Sequence, residues 1–364
     1  MLARKNIQNL TPYIAGKPIE ETKRELKLKE VIKLASNENP LGVSPRALAA
    51  IRRSASEVNR YPDSQGFYLK KKISQRMNVL PSQVCLGNGS DELIDIVIKA
   101  FVDDGENIVT SDTTFVEYEI IARVNNRPIR TVPLRYFTYD LEAMRRKIDK
   151  KTKLVFIANP NNPTGTYVTD RQIEEFLKSL PAGVIVVFDE AYDAFIDVND
   201  FPRSFAYVAE RNVILLKTFS KAYGLAGLRV GYAIARPEII SYMERVRQPF
   251  NVNLLAQAAA IAALDDRAFL AKTRKAVLEG KRYLYKELSR MGLAYVPSVA
   301  NFILIDTGTD GVALFKEMLK FGVIVRDMKQ YGLRNFIRVT IGTQKENKRF
   351  IRVLKKALTR GGRL

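Results

Sequence analysis

The chain has 364 residues, 46% of them hydrophobic and 27% charged, a balance that belongs to a folded two-domain protein and excludes a disordered or fibrous one. It contains no histidine and a single cysteine, Cys85, so a Ser-His-Asp triad, a Cys-His pair, an imidazole base, a cysteine metal cluster and an intrachain disulfide are all excluded, and no metal site is suggested. The formal net charge of +20 comes from short scattered groups such as Lys70-Lys71-Lys72 and Arg145-Arg146-Lys147, not from a long tract or a nucleic-acid motif; an acidic lipid surface and small anionic substrates are the other readings of that charge.

Residues 1–12 lack the apolar core of a signal peptide, and no later stretch supplies the roughly 18–20 charge-free apolar residues of a membrane span. A cytoplasmic protein with no membrane association is expected. The charged segment 17–29 is an arm or a short helix. From about Val31 onward, short β-rich runs alternate with helical patterns, the signature of parallel βαβ units and an α/β fold. Strands are expected at 84–86, 108–110, 154–157, 185–188 and 213–216, each followed at once by chemistry-capable residues. Ligands of open α/β sheets bind beyond such carboxyl ends, so these exits point to one site. After Pro249 the pattern turns to long helices, one Ala-rich at 254–264 and one from about 269 to 291. Strands at 302–305, 323–326 and 336–340 and a basic helix from Lys345 complete a smaller α+β domain. The expected division is a large domain with a mostly parallel central sheet at 33–264, and an arm plus small domain formed by 1–32 and 265–364.

The segment TFSKAYGLAGLRVG at 218–231 places one amine, Lys221, among hydroxyls and glycines directly after an apolar strand. A lysine in a strand–helix loop is ordinarily a surface residue, but this one can hold an aldehyde cofactor covalently. Thr218, Ser220 and Arg229 offer two hydroxyls and a guanidinium to a phosphate. Upstream, IVVFDEAY at 185–192 ends a strand in Asp189, with a phenol, Tyr192, three residues on. Such a carboxylate either caps a helix or pairs with a protonated pyridine nitrogen, which strengthens the ring as an electron sink; Tyr192 would donate to the ring's phenolate oxygen. The rigid turn NPNNPTG at 159–165 offers the amide of Asn162 to the same oxygen. GNGSDE at 87–92 opens a helix expected at 93–100 with Ser90 as N-cap, and a helix N-terminus receives phosphate through its unpaired N–H groups; the backbone and Ser90 are credited ahead of Asp91.

In this order the four segments resemble the fold-type I pyridoxal 5'-phosphate (PLP) aminotransferases. The resemblance implies an aspartate-aminotransferase-like α/β fold with PLP as cofactor, Lys221 as the catalytic lysine and Arg229 as the phosphate arginine. It also implies Asp189 on the pyridine nitrogen, Tyr192 and Asn162 on the phenolate oxygen, and Ser90, Thr218 and Ser220 in the phosphate cup, with Asp91 also among the cofactor-binding residues. Phe115 sits where the family stacks an aromatic ring on the cofactor; a core phenylalanine is the alternative. LTPYIAGKP at 10–18, SNENPLG at 36–42, RYP at 60–62 and IRVTIGT at 337–343 are similar to the histidinol-phosphate aminotransferases and extend the resemblance over nearly the whole chain.

That narrower resemblance implies a homodimer in which Tyr61 reaches the partner's cofactor phosphate. It places Arg338 on the carboxylate of glutamate and on the phosphate of histidinol phosphate in turn, helped by Arg326 and Tyr13, with Asn37 also on the substrate side. For Arg326 an ion pair with Asp327 is the alternative. The implied reaction exchanges the amino group between L-histidinol phosphate and 2-oxoglutarate, giving imidazole-acetol phosphate and glutamate. An aromatic amino-acid aminotransferase and a threonine-phosphate decarboxylase share the cofactor motifs, and a non-catalytic basic nucleic-acid-binding protein on the same scaffold is the rival from another class.

Overall fold

Aliphatic, β-branched runs bounded by polar turns pair into a seven-stranded sheet in the computed structural model, which describes residues 2–12 and 16–360. Across the sheet the order is Val84–Gly87, Gly231–Ile234, Val213–Thr218, Ile185–Asp189, Thr152–Ala158, Asn107–Ser111 and Ile129–Val132. Neighbours run parallel except at Gly231–Ile234, which is antiparallel to both strands beside it. The central strands read as continuous apolar runs because helices cover both faces. Ile185–Asp189 is buried at every position, its terminal carboxylate included.

The five expected strands of this sheet are present, each a residue or more longer than its apolar run. Two others lacked a clear sequence signal. Ile129–Val132 is a half-buried edge strand carrying Arg130 and Thr131, and Gly231–Ile234 follows a glycine-rich segment that reads as loop. The helix after the first strand spans Gly89–Phe101, so Ser90 lies inside its first turn and is not the N-cap. Gly89, at φ +83°, turns the chain directly into the helix, and Glu92 accepts from the Asn88 N–H at 2.6 Å, which releases the Ser90 hydroxyl from capping.

Arg326–Asp327, Phe336–Thr340, Phe302–Asp306 and Tyr295–Val296 form a second, antiparallel sheet. The single strand expected at 323–326 is split. Val323–Ile324 pairs parallel with Ile32–Lys33, whereas Arg326–Asp327 pairs with Phe336–Thr340, so the chain changes sheets at the buried Val325. The change sets Arg326 directly opposite Arg338. The charged segment after Lys17 forms the helix Ile19–Leu26, and Leu254–Asp265 and Arg267–Arg290 are the two long helices after Pro249.

Apolar side chains gather into two main clusters. One surrounds the large sheet and includes Leu93, Phe156, Phe188 and Leu215. The other joins Val277, Phe302, Val339 and Leu354 to Leu34, Tyr192 and Ala222, so it reaches the loops next to Asp189 and Lys221. Gly224 packs the loop after Lys221 against Gly42 and Val43: its φ is +72°, and a Cβ there would overlap the carbonyl oxygen of Gly42. Gly224→Ala should therefore lose about 2–5 kcal/mol of stability from left-handed strain plus overpacking, read as a lower urea midpoint; an unchanged midpoint would contradict this packing.

Candidate active site

The carboxyl ends of the large sheet's strands and the Arg326/Arg338 strand pair enclose a cavity of about 270 Å³. Among the described residues, every sequence-predicted site residue lines it except Tyr61. Tyr61 is 82% exposed and stacks on Phe250 at 4.6 Å, outside the cavity; Tyr13 lies outside the described residues.

At one end, Ser90 and Asp91 stand in the first turn of Gly89–Phe101, facing Thr218, Ser220 and Arg229. Arg229 donates to Asp91 Oδ2 at 2.7 Å and to the Ala226 carbonyl at 3.2 Å, and its Nη1 lies 3.4 Å from Ser220 Oγ. Two glycines permit this approach. A Cβ on Gly89 would lie 2.7 Å from Arg229 Nη2, and one on Gly231 would lie 2.9 Å from the Ser90 nitrogen. Three hydroxyls, a guanidinium and a helix N-terminus form a donor set suited to a phosphate dianion.

Asp189 marks the middle of the cavity. Burial is the main cause that pushes its carboxyl up to about 6, against the lowering effect of Tyr118 and the Ala191 N–H, which donate to its two oxygens at 2.8 and 3.1 Å. Tyr118 is fully buried, stacked on Phe156 at 4.8 Å and edge-on to Phe115 at 5.7 Å. Its part at the site was not foreseen; the available signal was a second aromatic three residues after Phe115, one helical turn away. Phe115 both lines the cavity and packs against the large core, so the two readings of that residue are compatible.

Lys221 Nζ donates to the Ser36 carbonyl at 3.2 Å and lies 5.7 Å from the centre of the Tyr192 ring. The Tyr192 hydroxyl accepts from Asn37 Nδ2 at 3.0 Å. Asn37, at φ +55°, also donates its backbone N–H to Thr340 Oγ1 at 2.9 Å, which ties the cavity floor to the second sheet.

The far wall is cationic. Arg338 donates through Nη1 to the Asn162 amide oxygen and through Nη2 to the Ala35 carbonyl at 2.8 Å, while its buried Nε has no partner among the described residues. Arg326 donates to Gln330 Oε1 at 2.7 Å. Two guanidiniums opposed across a strand pair repel each other and favour an anion between or beside them. Asn162 thus spends its oxygen on Arg338 and keeps its amide nitrogen as a donor.

These residues fit PLP: a glycine-walled phosphate cradle, a buried carboxylate short of a cation, and a primary amine line one cavity. The chain belongs to the family described as aminotransferase class I and II, whose pattern matches residues 29–354. Within that family it is 48% identical to the histidinol-phosphate aminotransferase of Moorella thermoacetica, over 98% of this chain and 92% of that protein. It is 46% identical to histidinol-phosphate aminotransferase 2 of Carboxydothermus hydrogenoformans, over 98% and 99% of the two chains. Among solved structures, the histidinol-phosphate aminotransferase of Sinorhizobium meliloti in complex with pyridoxal-5'-phosphate superposes with a TM-score of 0.90, at 27% identity over 99% and 98% of the two chains.

The raised pKa of Asp189 has a consequence for the cofactor-free protein. Because the folded carboxyl binds its proton more tightly than the unfolded one, stability falls as pH rises from about 4 through 6, by on the order of 2–3 kcal/mol. Cofactor-free Asp189→Asn should therefore be more stable than the parent at pH 8, with the difference shrinking towards pH 4. Urea unfolding at the two pH values checks this, and a variant less stable at pH 8 would contradict it.

Proposed function

We propose that this chain exchanges the amino group between L-histidinol phosphate and 2-oxoglutarate, giving imidazole-acetol phosphate and glutamate in histidine biosynthesis. It is a PLP-dependent aminotransferase of the class I and II family. The observation that carries the substrate reading is the Arg326/Arg338 pair, set opposite each other in register and lining the same cavity as Lys221. One guanidinium suffices for the carboxylate of an amino acid; a second suits a phosphate ester. An aromatic amino-acid aminotransferase would use Arg338 alone.

In this reading Ser90, Thr218, Ser220, Arg229 and the helix N-terminus hold the cofactor phosphate, with Asp91 steadying the guanidinium. Asp189 faces the pyridine nitrogen, Tyr192 and Asn162 the phenolate oxygen, and Phe115 the ring face. When bound, PLP supplies an electron sink for charge that develops at the substrate Cα. Tyr118 and the Ala191 N–H keep the Asp189 carboxylate oriented. Lys221 Nζ would hold the cofactor, and its free amine would move a proton between the substrate Cα and the cofactor carbon. Arg338 and Arg326 fix the far end of each substrate in turn, with Asn37 on the substrate side; Tyr13 is assigned to the same phosphate by the family resemblance alone. The chain therefore needs no histidine for proton transfer.

The same proposal includes a cytosolic homodimer with shared sites and a division into 33–264 and the remainder. Exposed Val58, Tyr61, Phe67, Tyr68 and Phe250 support a second copy as the cover for that face. Among the described residues no helix is long and apolar enough to cross a membrane.

Glutamate formation from histidinol phosphate and 2-oxoglutarate tests the activity. Arg326→Ala should raise KM for histidinol phosphate by about 30- to 100-fold, the worth of a charged hydrogen-bond pair; an unchanged KM would remove the phosphate from Arg326. Mixing Lys221→Ala with Tyr61→Ala should restore activity above either variant alone, to about a quarter of the parent at equal mixing, since one site of each heterodimer regains both residues. No recovery would show that Tyr61 does not act across subunits.

A further inference from the structure

The charged side chains of the cavity are matched to partners: Asp91 with Arg229, Asp189 with Tyr118, Arg338 with Asn162, Arg326 with Gln330. Glu117 is the exception. Glu117 lines the same cavity, half-buried, and its carboxyl has no hydrogen bond or ion pair to any described residue. Burial, reinforced by the nearby Asp91, raises its pKa.

Position makes this carboxyl more than a favourable helix-end charge. Glu117 is the first residue of Glu117–Val124, and the chain on either side of it is fixed by the site itself. Phe115 lines the cavity two residues before it, and Tyr118, next after it, is locked on Asp189. The side chain is thus delivered to the cavity by two anchored neighbours, while a helix-end carboxylate serving only the dipole needs no cavity.

We propose that Glu117 is a specificity residue that accepts a hydrogen bond from the ring N–H of the substrate's imidazole. This rests on the reading of histidinol phosphate as substrate. That molecule offers three recognition groups: an amine, consumed at Lys221; a phosphate, matched by Arg326 and Arg338; and a ring N–H, for which the cavity's other carboxylates are already engaged. A phenyl ring in the same place would strip water from the carboxylate and return nothing, which is how a polar site rejects an apolar isostere.

The test compares histidinol phosphate with phenylalaninol phosphate, which differs only in the ring. The parent enzyme, Glu117→Gln and Glu117→Leu are assayed after each is shown to keep the visible absorption of bound cofactor. The parent should prefer the imidazole compound by about tenfold or more in kcat/KM. Glu117→Leu should lose most of that preference through KM, and Glu117→Gln, whose amide oxygen still accepts, should keep part of it. Calorimetric dissociation constants on Lys221→Ala holoenzyme, with and without the Glu117 changes, should move in step. A preference within twofold of the parent in both variants would overturn the proposal while leaving the substrate reading standing. A parent enzyme that does not turn over histidinol phosphate would overturn that reading and the proposal with it.

Discussion

A carboxylate buried at the end of a central strand is costly, and the arrangement around Asp189 follows from that cost. Among the described residues a phenol and one backbone N–H donate to the group, and burial pushes its pKa up to about 6 because these donors offset only part of the cost. Under the proposed function a protonated pyridine ring would be its counterion. Strand pairing brings the remaining chemistry to it: Asp189 lies opposite Ala158 on one side, just before the turn that holds Asn162, and opposite Leu216 on the other, just before the loop that holds Lys221. Parallel neighbours place all three carboxyl ends on one edge of the sheet.

The residue after Asp189 does a different job. Glu190 accepts from Lys217 Nζ at 2.6 Å, and Asp193 accepts from the same amine at 2.5 Å. Burial works against the charge on Lys217, but the carboxylates of Asp193 and Glu190 outweigh it and hold the ammonium well above its usual pKa. The buried pair braces the segment bearing Asp189 and Tyr192 against the strand that leads to Lys221, so these two walls of the cavity keep their spacing. On the opposite wall, Arg326 and Arg338 stay close because Gln330, Asn162 and the Ala35 carbonyl each take a hydrogen bond from them.

Sequence made the central strands and their terminal motifs legible because buried parallel strands are continuous apolar runs and the chemistry begins where each run stops. Asp189 and Lys221 stand at or just beyond such stops. Less was legible where position depends on tertiary context. Gly231–Ile234 sits in a glycine-rich stretch, and nothing local announces that it runs against its neighbours. The break at Val325 depends on which of two sheets each half can reach, and it alone creates the facing arginines. Ser90 carries the residue type of an N-cap, yet the left-handed Gly89 starts the helix earlier. Tyr118 reads as part of an amphipathic helix, and only the fold turns its hydroxyl onto Asp189. Tyr61 stands outside the cavity, exposed and stacked on Phe250, and its proposed part depends on a second copy of the chain.

The most direct measurement is the visible absorption spectrum of the PLP-loaded protein before and after addition of histidinol phosphate or glutamate in separate cuvettes, with Lys221→Ala as control. The account predicts a band that depends on Lys221 and is discharged by both amino donors. A Lys221-dependent band discharged by glutamate or an aromatic amino acid but not by histidinol phosphate would contradict the substrate, and the absence of any such band would contradict the cofactor site itself.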